Sequence, residues 1–347
     1  MVGRDLYRNS KFDYRYSPLF AAALGPMSML PLKVGSIVWR LVTVSVLLGA
    51  LYRASRRNIP KALNAAESAL MFLLLLPLAL GNLNNGQANL LVLGLLTVSI
   101  VAVIRERWML AAISVMLAGA IKIYPLVFCL PLVVVYPRQL LWRFVLCIVA
   151  VIALPFALQQ PDYVARQYSY WFQYLRTEDR SLRPITEWYS DIRMLFRVWS
   201  VPLSSRAFVI MQIFSGTLVI ICAWIGKVLD SPKERFIAWV FSLSCCWMVL
   251  FGPATESSTY VLIAVATAWA VTELLRGTRR PSDIAWIFVI YGLQLLPQMA
   301  AWFGGMKRFH IYTSLYTLSA LSLGAYLLRP TVFRELRIQP LESGGGD

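Results

Sequence analysis

Polar side chains interrupt long apolar runs at a few places, and these places can support chemistry. The segment GNLNNGQAN carries Asn82, Asn85, Gln87 and Asn89 between two apolar runs. Amides both donate and accept hydrogen bonds, so they suit sugar hydroxyls and phosphate oxygens without adding charge. Gly86 can end one helix or start another, and the N–H groups at the start of the next helix would attract an anion. An ordinary Asn–Gly turn is the alternative.

Two charged residues lie close to apolar runs. Lys122, in AGAIKIYPL, is a cation whose burial without a partner would cost on the order of several kcal/mol. A phosphate partner would explain it, and snorkelling to the interface is the alternative. Glu256, in GPATESSTY, can orient a sugar hydroxyl or act as a general base. Capping of the next helix is its alternative role.

The elements that position these groups are membrane helices. The chain has 347 residues, of which 59% are hydrophobic and 14% charged, whereas soluble domains carry about 25% charged residues. Lipid requires every backbone polar group to be satisfied internally, and the long runs do not alternate as barrel strands do. We therefore predict an all-α, polytopic membrane protein. Residues 1–347 form a single membrane domain of about 10–11 segments, some of them short or re-entrant.

Net charge is +16, which on a membrane protein indicates cytoplasmic loops rather than nucleic-acid binding. Basic residues concentrate in RASRRNIPK, RER and the tail that begins at Arg329, and the polar clusters fall on the opposite side. We predict a cell (inner) membrane protein with a cytoplasmic tail at 329–347 and a functional site on its extracytoplasmic face. Residues 159–205 mix aromatic and charged side chains, which predicts an extracytoplasmic loop with interfacial helices.

These motifs resemble those of a known family. The run GNLNNGQANLLVLGLL, followed by AGAIKIYPLVFCLPLVV, resembles glycosyltransferase family 87, whose members are polyprenyl-phosphate-dependent mannosyltransferases. FDYRYSPLFAAALGPMSMLP resembles the tyrosine–proline segment that leads into that family's second helix, and GPATESSTYVLI is similar to its late outer-loop motif. The resemblance implies a GT-C fold with its site on the extracytoplasmic face.

The resemblance also implies a reaction. Such enzymes move a hexose, typically mannose, from a polyprenyl-phosphate sugar in the bilayer to a glycolipid or glycan acceptor, inverting the anomeric carbon. An acidic residue deprotonates the acceptor, and cations or N–H groups stabilise the leaving phosphate. We expect no cofactor and no metal. The candidate substrate- and phosphate-binding residues are Arg15, Tyr16, Asn82, Asn85, Gln87, Asn89, Lys122 and Tyr124.

The base is the point at which the sequence departs from the family pattern. Family members place a first transmembrane helix and an aspartate before the segment matched here by GRDLY, where this sequence starts. Our preferred expectation is a start site set too late. The alternatives are an inactive homologue, or another acid as base, with Asp5, Asp13 and Glu256 as candidates. A transporter or flippase for a lipid-linked sugar is a further alternative, but it should show internal repeats, and we find no convincing one.

Overall fold

The computed structural model describes residues 6–7, 14–177, 184–274, 280–303 and 309–332. Two candidate bases, Asp5 and Asp13, and residues 333–347 of the predicted tail lie outside these ranges. Within them, regular structure is entirely helical, as predicted. The α-helices are α1 (Pro18–Ala23), α2 (Leu32–Ser55), α3 (Ala65–Asn84), α4 (Asn89–Ile104), α5 (Trp108–Ile121), α6 (Cys129–Val135), α7 (Pro137–Leu158), α8 (Pro161–Thr177), α9 (Ile192–Val198), α10 (Ser205–Val228), α11 (Lys233–Phe251), α12 (Val261–Leu274), α13 (Pro281–Phe303) and α14 (Phe309–Leu327).

Several helices have the length and composition of membrane spans. Among the described residues, α2, α3, α7, α10, α11, α13 and the segment Ser257–Leu274 are long and apolar enough to cross a bilayer. Shorter apolar helices, such as α4 and α5, lie in the centre, where Leu93 and Leu96 are fully buried. On α10, by contrast, Ile213 and Phe214 are 64% and 72% exposed. A protein with apolar side chains on both its inside and its outside is built for lipid, which confirms the predicted fold class.

Glycine allows two of the central helices to touch at the backbone. A Cβ atom on Gly94 of α4 would lie 3.0 Å from the Cα of Leu47 in α2. Membrane helices gain little from excluding water from one another, so close van der Waals packing at small residues holds them together.

The segment around Lys122 is built from short elements. Helix α5 runs to Ile121, a two-residue link carries Lys122, and a 3₁₀ turn (Tyr124–Phe128) leads into α6. Helix α7 begins at Pro137, because the proline suits the first helical turn. Helix α3 continues to Asn84, so the polar segment GNLNNGQAN is reduced to a turn at residues 85–88.

The helices alternate in direction, so the bundle has two distinct ends. We call one the basic end; it comprises residues 52–64, 104–108, 136–138, 228–236 and 327–332. There, Lys233 pairs with Glu106 at 3.0 Å and Arg329 pairs with Asp283 at 2.5 Å. We call the other the cavity end; it comprises residues 14–18, 82–90, 121–124, 158–161 and 252–261. The polar clusters of the sequence therefore meet at one end, although they are far apart along the chain.

Candidate active site

A cavity of about 230 Å³ lies at the cavity end, and we call it the charged cavity. It is bounded by the segment before α1, the links after α3 and α5, helix α8 and the residues that follow α11. Its lining residues are Arg15, Tyr16, Gln87, Lys122, Ile123, Tyr124, Trp171, Tyr174, Leu175, Tyr189, Pro253, Ala254 and Glu256. Two cations and one carboxylate thus share a small space with several aromatic rings.

Arg15 is held from several directions. Its guanidinium nitrogen lies 2.6 Å from a carboxylate oxygen of Glu256, and its Cζ lies 5.8 Å from the ring centre of Tyr189. The Trp171 indole donates to the Arg15 carbonyl at 3.3 Å. Just beyond, Ser17 caps α1 and donates to the carbonyl of Ala120 at the end of α5. These contacts fix a guanidinium, which can bind a phosphate in a two-pronged geometry, at the wall of the cavity.

Lys122 lies in the link between α5 and the 3₁₀ turn, outside both helices. Its backbone is extended, and its Nζ lies 5.9 Å from the ring centre of Tyr124. Burial disfavours the ammonium form and lowers the pKa of Lys122 to about 8; nearby Arg15 adds to this, and Glu256 opposes it. Lys122 is therefore a poorly compensated cation at neutral pH. An anion that enters the cavity would stabilise the ammonium form of Lys122.

Glu256 has two local roles at once. It precedes a 3₁₀ helix (Ser257–Tyr260) and caps it, with its carboxylate accepting the Thr259 N–H while its own N–H donates to the Thr259 hydroxyl at 3.1 Å. The same carboxylate pairs with Arg15. The helix-cap alternative is therefore correct, but it does not exclude chemistry. A carboxylate has about four acceptor positions, and these two contacts occupy two of them, so a position remains for a proton.

The predicted amide cluster divides into two groups. Asn82 donates to the Ser258 carbonyl at 2.9 Å, Asn89 donates to the Asn82 side chain at 3.0 Å, and the Tyr124 hydroxyl donates to Asn89 at 3.2 Å. Asn82 and Asn89 are buried in this network, which ties α3, α4 and the 3₁₀ helix together. Gln87, in contrast, lines the charged cavity. Gly86 orients it with a left-handed φ of +61° that disfavours other residues, and its carbonyl accepts from Trp39 at 2.8 Å.

The structure brings most of the predicted residues to one place. Six of them line the charged cavity: Arg15, Tyr16, Gln87, Lys122, Tyr124 and Glu256. Asn82 and Asn85 line a second cavity, and Asn89 lies in the buried amide network. No described contact tests the role of any of these residues, so the assignments stay predictions.

Three aromatic rings in the charged cavity were missed as site residues. Trp171, Tyr174 and Tyr189 were predicted only to belong to an interfacial loop, and the structure places them at the cavity wall. The density of aromatic side chains beside charges in residues 159–205 was the available signal. Aromatic faces of this kind suit sugar rings and isoprenoid chains, because they offer apolar contact beside polar groups.

Two other cavities lie nearby. The second cavity has a volume of about 360 Å³ and is lined by α3, the Ser257–Tyr260 turn, α12, α13 and α14; its described lining residues carry no formal charge, and we call it the neutral cavity. An apolar groove of about 600 Å³ runs along α2 and α3, from Tyr52 to Leu83 and Leu90. Among the described residues, no cluster of histidine, cysteine, aspartate or glutamate could hold a metal ion.

Comparison with known proteins adds the chemistry that geometry alone leaves open. The sequence model of glycosyltransferase family 87 matches residues 14–253. A search of individually curated proteins found no match. The matched segment begins just before Arg15 and ends just before Glu256, so it contains most of the residues that build the charged cavity. It also covers well over half of the chain, and the protein therefore belongs to glycosyltransferase family 87.

Proposed function

We propose that the charged cavity binds the phosphate of a polyprenyl-phosphate sugar and that the protein transfers the hexose, mannose in our assignment, to a lipid or glycan acceptor. The observation that carries this proposal is the meeting of Arg15, Lys122 and Glu256 in one cavity at the end of a membrane bundle. Two cations match the charge that develops on a leaving phosphate, and one carboxylate matches the need for a base.

The reaction uses each charged group once. The acceptor hydroxyl attacks the anomeric carbon, a new C–O bond forms on the opposite face, and the bond from that carbon to the phosphate oxygen breaks. Polyprenyl phosphate leaves with the bonding electron pair, against Arg15 and Lys122. Glu256 takes the proton of the acceptor hydroxyl. Glu256 pairs with Arg15 at 2.6 Å, so the donor phosphate must compete with Glu256 for the guanidinium. Arrival of the donor therefore frees the carboxylate for proton transfer.

The polyprenyl tail is assigned to the apolar groove. The groove residues at the cavity end, Leu83 and Leu90, flank the link that carries Gln87 into the charged cavity. The groove is open along α2 and α3, where Leu48 and Leu76 are 44% and 51% exposed. A long isoprenoid chain can enter it sideways from the bilayer while its phosphate reaches the cavity end.

The cavity end is assigned to the extracytoplasmic face. The basic end holds the arginines of RASRRNIPK and RER together with Lys233 and Arg329, and short basic loops stay in the cytoplasm. Accordingly, the donor would be consumed from the extracytoplasmic leaflet of the cell membrane.

A transfer assay in proteoliposomes tests this function. Purified protein is given radiolabelled polyprenyl-phosphate mannose, or GDP-mannose without polyprenyl phosphate, with a membrane lipid extract as acceptor source. We expect product from the lipid-linked donor alone. Glu256→Gln should lower the rate by about a hundredfold or more, which is the usual contribution of a general base. Glu106→Gln, the same change at the basic end, should leave the rate unchanged.

Two outcomes would contradict the proposal. Direct use of GDP-mannose would place the protein in another donor class. Full activity of Glu256→Gln, with loss of activity in Asp5→Asn or Asp13→Asn, would move the base to the segment before Arg15 and leave Glu256 as a positioning residue for the guanidinium.

A further inference from the structure

The neutral cavity has the composition of a sugar-binding site. It lies at the same end of the bundle as the charged cavity, and its described lining residues include amides, hydroxyls and tyrosine rings but no charged group. The rings of Tyr260 and Tyr316 stack in its wall, with their centres 5.2 Å apart. Uncharged donors and acceptors beside an aromatic surface suit a polyhydroxyl ligand better than an anion or an isoprenoid.

One buried amide in this cavity lacks a partner. Gln294 is 2% exposed, and its Nε2 donates to the Thr267 hydroxyl at 2.7 Å. The Thr267 hydroxyl in turn donates to the Ile263 carbonyl, so it can only accept from Gln294, which fixes the orientation of the amide. The remaining atom, Gln294 Oε1, has no hydrogen-bond partner among the described residues. A buried acceptor of this kind costs stability unless a ligand supplies a donor.

A second amide in this cavity packs against a glycine. Gln298 accepts a hydrogen bond from the Tyr316 hydroxyl at 3.2 Å, one helical turn beyond Gln294. A Cβ atom on Gly81 would lie 2.7 Å from its Nε2, so only glycine lets this amide lie against α3. Gln294 and Gln298 thus line the same cavity, although they belong to an apolar helix.

The neutral cavity shares a wall with the charged one. Glu256 lines the charged cavity, and the next two residues, Ser257 and Ser258, line the neutral cavity. Asn85 and Gln87, two residues apart, face the two cavities in the same way. Consecutive Cα atoms are about 3.8 Å apart, so the two cavities adjoin along this short stretch of backbone.

We propose that the neutral cavity is a carbohydrate-binding site for the uncharged sugar residues of the acceptor, which it presents to Glu256. The acceptor role rests on the proposed function, whereas the binding of an uncharged sugar does not.

Binding of mannobiose, an uncharged disaccharide, tests the proposal without catalysis. The full chain is placed in lipid nanodiscs, which avoids sugar-headed detergents, and saturation transfer from protein to mannobiose is measured by NMR. Gln294→Leu removes the unpartnered acceptor and should weaken binding about tenfold. Gly81→Ala displaces the Gln298 amide gently and should weaken binding several-fold. The matched controls are Gln212→Leu, in α10, and Gly292→Ala, where an added Cβ meets open space.

The result that would overturn the proposal is mannobiose binding that is absent, or equal in all four variants. If Gln294→Leu fails to fold, the comparison of Gly81→Ala with Gly292→Ala decides the question. The two proposals also fail separately. Lys122→Met should abolish transfer yet still bind mannobiose. A wild-type protein that binds mannobiose through Gln294 but transfers no sugar would keep the carbohydrate site and remove the transferase assignment.

Discussion

Replacing Lys122 with methionine removes a cation but keeps a long, flexible side chain, and we expect the unliganded protein to become more stable. Burial lowers the pKa of Lys122 from 10.5 to about 8. One pKa unit corresponds to about 1.4 kcal/mol, so holding the ammonium in the folded state costs on the order of 3 kcal/mol before screening. Partial exposure and the lost contact with the Tyr124 ring reduce the net gain to on the order of 1–2 kcal/mol.

The pH dependence has a defined sign. Because the folded state has the lower pKa, the unfolded state binds more protons between pH 8 and pH 10.5, and wild-type stability should rise across that window. Lys122→Met should lack that rise. Affinity for the donor phosphate should change in the opposite direction, being highest below pH 8 and falling above it as the ammonium is lost.

Thermal unfolding in nanodiscs and donor binding are measured on the same preparations. We expect Lys122→Met to raise the apparent Tm by a few degrees at neutral pH and to weaken donor binding by about tenfold or more, as for a lost charge-assisted hydrogen bond. Lys33→Met, at the exposed start of α2 on the same side, is the control and should change neither. A Lys122→Met protein that is less stable than wild type, with an unchanged pH slope, would show that the buried ammonium does not destabilise the folded state.

Three further predictions concern the scaffold and the groove. Gly94→Val should lower stability by about 1–3 kcal/mol, because its side chain meets the α2 backbone, whereas Gly49→Ala meets open space and should be tolerated; thermal unfolding compares them. Asp191→Ala should cost about 2–4 kcal/mol, since this buried carboxylate caps α9 and pairs with Arg193 at 2.5 Å, and equal stability would remove that role. Leu76→Trp should narrow the apolar groove and slow transfer from a long-chain donor but not from a short-chain one, with the lipid-facing Leu154→Trp as control.

The membrane helices, and the grouping of their polar links at one end of the bundle, could be predicted from the sequence. Hydropathy identifies the helices, because a backbone in lipid must satisfy its polar groups internally. Arg15, Gln87, Lys122 and Glu256 were expected on one face for that reason, and the structure brings them into one cavity. The membrane helices around them could also be predicted, because polar links separate the apolar runs along the chain. Both predictions rest on hydropathy and do not depend on how side chains pack.

The partners of the amides could not be predicted. Asn82 and Asn89 have the same donors and acceptors as Gln87, yet they bond to each other and to Ser258. The packing of α3, α4 and the Ser257–Tyr260 turn decides which amide faces a cavity and which faces a neighbouring helix. The pattern of residues along the sequence does not reveal that packing. Gln294 and Gln298 were not predicted as site residues, although the sequence held a signal for them. They are polar residues four apart within an apolar span, which places both on one face of the helix.

A cryo-EM structure with polyprenyl phosphate in nanodiscs would locate the leaving group itself and so test whether the charged cavity is the phosphate site. We expect phosphate density in the charged cavity, within hydrogen-bond reach of both Arg15 and Lys122, with the Arg15–Glu256 contact lengthened and isoprenoid density along α2 and α3. Phosphate density in the neutral cavity or at the basic end, with the Arg15–Glu256 pair intact, would contradict the assignment of the charged cavity as the phosphate site.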